Sequence, residues 1–183
     1  TLAHILMEKE AGRMKHPALI IIDVQYRTVG TRPMPFFEAI KEFPTSCGDV
    51  GWRAVERIVP LLAYFRTRGW PVMYPHVAPK NVKTDSGRLA EKVPAIMTIP
   101  AHGYDFVREI APRDGDVLLP KRHPSAFFGT ALTSYLIDSG ADTLIGGVNV
   151  DTFAWLPGDG NDILAGGPGA DTLDFDGSNA SES

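Results

Sequence analysis

The sequence of 183 residues has only one cysteine and no long hydrophobic run. The first feature excludes an internal disulfide, and the second argues against a membrane-spanning helix. Cys47 has no partner for an internal disulfide, which is typical of a reducing compartment. The longest apolar run, residues 18–22, is strand-sized and far below the roughly 20 residues that a membrane-spanning helix needs. A net charge of -4 without clustered Lys and Arg argues against nucleic-acid binding. We therefore expect neither a membrane span nor a nucleic-acid partner.

Lys and Arg are also missing from the last part of the chain. None occurs from Gly140 to the final residue, where Gly and Asp become frequent, whereas the preceding sequence has an ordinary globular composition. The chain is long enough for one α/β domain but not for two. We predict one domain over residues 1–145 and a distinct tail over residues 146–183.

The first 145 residues alternate between strand and helix patterns. Helices are predicted over residues 52–68, 104–110 and 129–138, with a kink at Pro60, a stop at Gly69 and an N-cap at Thr130. Strands are predicted at residues 18–24, 70–77, 116–121 and 142–145. This alternation implies right-handed crossovers and a doubly wound parallel sheet with helices on both faces.

Two polar residues follow strands of this sheet, at the edge where ligands bind in open α/β folds. Asp23 follows the first strand and Lys121 ends the third. Such a pair serves nucleophilic catalysis when a thiol is nearby: the carboxylate accepts the thiol proton, and the ammonium keeps the carboxylate ionised and lowers the thiol pKa. A thiol would be best placed at a helix N-terminus, where the helix dipole favours the thiolate.

Two segments carry a family resemblance. ALIIIDVQ, with Asp23 and Gln25, and KRHPSAFFGTALTSYL, with Lys121, resemble the isochorismatase-like cysteine hydrolases, most of all those of the N-carbamoylsarcosine amidase type, over residues 17–145. The resemblance implies a truncated sheet of order 3-2-1-4 and hydrolysis of the C–N bond of a small amide or carbamoyl compound. It also implies no cofactor for this domain, a cytoplasmic location, and a Cys-Asp-Lys triad that includes Asp23 and Lys121.

The chain departs from this family at the nucleophile. An ungapped overlay places Ala154 where the family has its catalytic Cys, and the family's last two strands are absent. We therefore expect no amidase activity, and we expect the exposed fourth strand to favour marginal stability or a homo-oligomer. Cys47 lies in a Pro- and Gly-bounded loop and is interpreted as an ordinary loop cysteine. His76 lacks the partner histidines of a D-x-H-x-x-H metal site and is interpreted as a strand-end residue.

The tail resembles the nonapeptide repeats of RTX proteins, whose unit is G-G-x-G-x-D-x-U-x. Asp142 and Asp151 are nine residues apart, as are Asp162 and Asp171. The resemblance implies a short β-roll that binds Ca²⁺, and a secreted protein. The ligands it implies are Asp151, Asp162, Asp171, Gly167 and Gly169. The alternative is a flexible Gly- and Asp-rich tail without calcium binding, since only the turn at residues 166–171 is complete.

The two resemblances overlap in the segment GADTLI. This segment fits both the fourth strand of the hydrolase and an RTX strand. Recombination, or misassembly of sequence reads, would produce a junction of this kind. We interpret the chain as a chimera of a hydrolase fragment and an RTX fragment, which a contiguous DNA read across residues 140–147 would test.

Overall fold

The computed structural model describes residues 16–79, 91–92, 94–123 and 125–141, together with short strands at 143–145, 152–155, 163–165 and 172–175. By its internal contacts the chain divides into two units. The first is Leu19–Ile137, and the second consists of Thr1–Ala18 and Asp138–Ser183. The boundary predicted between residues 145 and 146 stays a prediction.

A three-stranded parallel sheet forms the centre of the first unit. Its strands are β1 (Leu19–Ile20), β2 (Val72–Val77) and β3 (Val117–Lys121), in the order β1-β2-β3. The ladder continues beyond β1, because the N–H groups of Ile21 and Asp23 donate to carbonyls of β2 at 2.9 Å. The predicted parallel α/β fold is therefore confirmed, and so is the order 3-2-1 for the first three strands.

Four α-helices accompany the sheet among the described residues: α1 (Tyr26–Val29), α2 (Phe36–Glu42), α3 (Asp49–Arg68) and α4 (Leu132–Asp138). The predicted long helix is confirmed as α3, which continues through Pro60 and ends at Gly69 in the left-handed conformation (φ 66°). The Thr130 hydroxyl accepts from the N–H of Leu132 at 3.1 Å, but the carbonyl of Ala131 accepts the first helical bond, from Tyr135. Thr130 therefore lies one position before the N-cap of this helix and is not the N-cap that was predicted. Among these helices, none is long and apolar enough to cross a membrane.

The core lies between α3 and the sheet. Val55, Leu62 and Phe65 on one face of α3 pack with Ile21 and other buried residues, namely Val72, Tyr74, Val107 and Ile110. Each fully buried aliphatic or aromatic side chain contributes about 1.5–3 kcal/mol relative to an exposed position. The helix thereby holds β1 and β2 in a fixed position, and their carboxyl ends carry the site.

The helix predicted over residues 104–110 is wrong. The chain forms two short 3₁₀ helices, Ala101–Tyr104 and Arg108–Ile110, with extended backbone between them, and a third at Pro94–Thr98. Between the first two, Phe106 forms an antiparallel bridge with Gln25, and Asp105 accepts from the N–H of Tyr26 at 3.1 Å. These tertiary hydrogen bonds replace those that a continuous helix would make.

The placement of the fourth strand beside the first is also wrong. The strand β4 (Thr143–Ile145) pairs in parallel with β6 (Ile163–Ala165), and β5 (Thr152–Trp155) pairs with β7 (Thr172–Phe175). In both pairs the partners are twenty residues apart, which is the sum of the nine- and eleven-residue steps between the tail's aspartates. A three-residue strand fits either pattern, and here it takes the register of the tail repeat.

Candidate active site

Asp23 and Lys121 form an ion pair at the carboxyl edge of the sheet. The Asp23 Oδ2 and Lys121 Nζ atoms are 2.7 Å apart. The Lys121 side chain is only 3% exposed, whereas that of Asp23 is 30% exposed. Their predicted proximity is confirmed, and the pair presents one accessible carboxylate backed by a buried cation.

The backbone at Asp23 is held in a conformation that few residues adopt. Its φ is 56°, and Asp23 is the one non-glycine residue with a positive φ in the described part of the chain. Its N–H donates to Pro75 and its carbonyl accepts from the N–H of Gln25, both at 2.9 Å. Strained residues of this kind persist only where the surroundings fix them, and they concentrate at functional sites.

One oxygen of the Asp23 carboxylate has no hydrogen-bond donor among the described residues. Oδ2 contacts Lys121, but Oδ1 is buried and accepts no hydrogen bond from the described residues. A buried acceptor without a donor costs about 1–3 kcal/mol. Among the described residues, the Asp23 carboxylate therefore has an acceptor oxygen without a donor.

Lys121 is fixed by its own loop as well as by Asp23. Its Nζ donates to the carbonyl of His123 at 3.2 Å. Beyond that loop, the Thr130 hydroxyl donates to the carbonyl of Ala126 and accepts from the N–H of Leu132, while the ring of Phe127 is exposed. The segment that carries the sequence resemblance thus holds the Lys121 ammonium through a backbone carbonyl and leads into α4.

Gln25 has more contacts at the site than the sequence revealed. Its side chain is fully buried and bonds to the backbone at two distant points of the chain, Val77 and Tyr104. In the sequence, Gln25 stands out only as a polar residue that follows an apolar strand. Its hydrogen-bond partners lie 52 and 79 residues away, and no local pattern predicts them.

His76 lies at the end of β2, as predicted for a strand-end residue. Its ring packs edge-on against Phe106 with centroids 5.0 Å apart. Burial lowers the pKa of His76 below 6.5, while a backbone hydrogen bond at Val77 and the charge of Asp23 oppose that shift. The imidazole of His76 therefore lies within electrostatic range of the Asp23–Lys121 ion pair.

The sequence offers two residues to consider for the nucleophile position, Ala154 and Cys47. Ala154, the position given by the overlay, lies within β5, where it pairs with Asp174, and not at the start of a helix. Cys47 is exposed in the loop between α2 and α3, where its N–H donates to Thr28 at 2.7 Å. Cys47 is thus the loop cysteine that the sequence indicated.

The predicted calcium ligands lie outside the described residues. These are Asp151, Asp162, Asp171, Gly167 and Gly169. Within the described ranges no group of three or more His, Cys, Asp or Glu residues could hold a metal ion.

The parallel sheet thus carries the Asp23–Lys121 ion pair at its carboxyl edge, where ligands bind in open α/β folds. A model of the Isochorismatase domain matches residues 17–146. The chain belongs to the isochorismatase family, and its relatives include amidohydrolases.

Two curated relatives and one solved structure illustrate the similarity. Maleamate amidohydrolase of Pseudomonas putida is 34% identical over 146 residues, which cover 73% of this chain and 59% of the relative. N-carbamoylsarcosine amidase of Arthrobacter sp. is 31% identical over 149 residues, which cover 75% and 50%. A cysteine hydrolase from Pseudomonas syringae aligns with a TM-score of 0.55 at 24% identity, covering 71% of this chain and 57% of that one, and shows the shared fold. The chain thus spans about half to three fifths of the length of these relatives.

Proposed function

We propose that the first unit carries the acid–base half of an amidohydrolase site for small amide or carbamoyl compounds, and that it does not complete covalent turnover by itself. The single observation that carries this proposal is the buried Asp23–Lys121 ion pair with its unused carboxylate oxygen. The names of the two curated relatives describe hydrolysis of maleamate and of N-carbamoylsarcosine, and both substrates contain an amide-type C–N bond.

The chemistry of such a pair requires a third group. A thiol gives its proton to the carboxylate, the thiolate attacks the carbonyl carbon, and the proton then passes to the leaving nitrogen. Asp23 is suited to the proton transfer, and Lys121 keeps it ionised. The chain's only thiol, Cys47, is exposed in another loop, so the attacking group is missing from the proposed site.

Ammonia release tests this proposal. Maleamate and N-carbamoylsarcosine are incubated with the full chain, with Asp23→Asn and with Cys47→Ala, and ammonia is measured over time. We expect no release above background in any sample. Release that disappears in both variants would show that Cys47 acts as a nucleophile with Asp23. Release that disappears only in Asp23→Asn would show that another group attacks, and either result would overturn the proposed inactivity.

A second candidate function is calcium binding by the tail. The observation that favours it is the parallel pairing of β4 with β6 and of β5 with β7 at the same twenty-residue offset, because alternate repeats pair in this way when a chain winds as a roll. Successive turns would then lie at opposite edges, so that Asp151 and Asp171 would share an edge. The Asn149 position lacks the ease of glycine at positive φ, which weakens that turn.

Calorimetry with Ca²⁺ tests this second function. We propose a dissociation constant on the order of 10⁻⁴ to 10⁻³ M, as in weak protein calcium sites, with Asp171 contributing most. Binding of the wild-type chain that is lost in Asp171→Ala would support a site. Equal weak binding by wild type and variant would reduce the signal to nonspecific attraction by acidic residues and would refute it.

A further inference from the structure

The side chain of Gln25 connects three separate segments of the first unit. Its Nε2 donates to the carbonyls of Val77 and Tyr104, and its Oε1 accepts from the N–H of Val77 at 3.0 Å. Both amide hydrogens are used, and Gln25 is 0% exposed. The opposite orientation of the amide would place its oxygen against two carbonyl oxygens, so the hydrogen-bond network fixes the orientation.

The segments that Gln25 connects carry the two members of the ion pair. Val77 is the β2 residue that lies in register with Lys121 of β3. The N–H of Gln25 donates to the carbonyl of Asp23 at 2.9 Å and closes the turn in which Asp23 has its positive φ. Gln25 is therefore joined to Asp23 through its backbone and, through Val77, to the strand position beside Lys121.

We infer that Gln25 is a positioning residue, which holds the Asp23 turn in register with Lys121 so that the carboxylate and ammonium stay in contact. A fully satisfied buried polar network fixes the segments that it joins. A strained turn needs such a constraint, since it would otherwise relax to an unstrained φ. The catalytic meaning of this role rests on the proposed function, but the contact itself is measurable without substrate.

Nuclear magnetic resonance of the full chain can detect the contact between the Lys121 ammonium and the Asp23 carboxylate directly. The Lys121 ammonium gives a ¹H–¹⁵N signal, and its coupling across the hydrogen bond to the Asp23 carboxyl carbon reports the 2.7 Å contact. Gln25→Glu keeps the size of the side chain but loses both donated hydrogens. Gln25→Asn keeps both donors on a side chain that is one methylene shorter, and it serves if the first variant does not fold.

A matched control removes a buried hydrogen bond from the other half of the same strand. The Tyr74 hydroxyl donates to the carbonyl of Ile110 at 2.9 Å and accepts from Arg66 at 3.1 Å. Tyr74→Phe deletes both bonds and leaves the hydrogen bonds of the Asp23 turn in place. We expect the coupling to persist in Tyr74→Phe and to be lost in Gln25→Glu and Gln25→Asn.

An unchanged coupling in a folded Gln25 variant of lowered stability would overturn the inference and reduce Gln25 to a structural residue. Loss of the coupling in Tyr74→Phe as well would do the same, because any destabilisation of β2 would then suffice. Neither result depends on turnover. Failure of the amidohydrolase proposal would appear in the ammonia assay and leave these spectra unchanged.

Discussion

Removing the charge of Asp23 is the most informative change to the ion pair. Asp23→Asn removes the negative charge that lies 2.7 Å from the Lys121 ammonium, whose side chain is 3% exposed. The substitution adds no backbone strain, because Asn adopts the left-handed region more readily than most residues. Any loss of stability therefore reports the electrostatics of the pair.

The expected magnitude follows from the burial of the two partners. Removing one partner of a buried ion pair costs about 3–5 kcal/mol. We expect about 3 kcal/mol for Asp23→Asn, because the amide oxygen still accepts one hydrogen bond from the ammonium. Lys121→Met leaves a carboxylate that is 30% exposed and reaches water, so we expect a smaller loss of about 1–2 kcal/mol.

Urea unfolding followed by tryptophan fluorescence measures both losses, provided the slope m is unchanged. The control is Arg53→Met in α3. This residue pairs with Asp49 at the same 2.7 Å, but the two side chains are 58% and 46% exposed. We expect less than about 1 kcal/mol there. The reasoning fails if Lys121→Met costs more than Asp23→Asn, or if Arg53→Met costs as much as either.

Further measurements on His76, Tyr74 and Gly48 test other parts of the first unit. Burial lowers the pKa of His76 below 6.5 and Asp23 opposes the shift, so Asp23→Asn should lower that pKa further in an NMR titration. His76 should also lower the free energy of unfolding as the pH falls below 6.5, because its imidazole is protonated at a higher pH in the unfolded chain than in the folded one. Burial raises the pKa of Tyr74 to about 12, so the unfolding free energy should fall between pH 10 and 12, where the unfolded phenol ionises first, and fall less in Tyr74→Phe. Gly48 has a φ of 62°, and an added Cβ would lie 2.6 Å from a backbone oxygen, so Gly48→Ala should cost about 2 kcal/mol or more in urea unfolding. Gly69→Ala, with open space around the Cβ, should cost about 1 kcal/mol.

The sequence predicts the features of this fold that local patterns encode. The apolar period of α3 and its glycine stop specify a helix whose buried face the structure bears out. The run at residues 18–22 gives the first strand, but Ile21 is its one buried residue and Ile22 is 48% exposed. The proximity of Asp23 and Lys121 was also predictable, because parallel strands bring their carboxyl ends to one edge.

The errors arise where a segment's partners are distant in sequence. Residues 104–110 have a helical composition, but Phe106 bridges to Gln25, some eighty positions earlier, and that contact determines their backbone. The strand β4 has only three residues, and its pairing depends on which neighbour offers the better register. The amide of Gln25 is a further example, since its hydrogen-bond partners exist only in the folded chain.

The contribution of the Asp23–Lys121 ion pair to the free energy of folding helps to decide what the pair is for. A buried pair is often no more stable than apolar side chains of similar volume. Here one oxygen of Asp23 also accepts no hydrogen bond from the described residues, and the Asp23 backbone has a positive φ. Stability alone therefore gives little reason for this arrangement, whereas a proton-accepting site gives a direct one. The double variant Asp23→Asn with Lys121→Met separates the two explanations. If it unfolds at the same or higher urea concentration than the wild type, the pair contributes nothing net to the fold, as the proposed proton-accepting role expects. If the double variant is destabilised by the sum of the two single losses, the residues act independently and the pair is no evidence of a site.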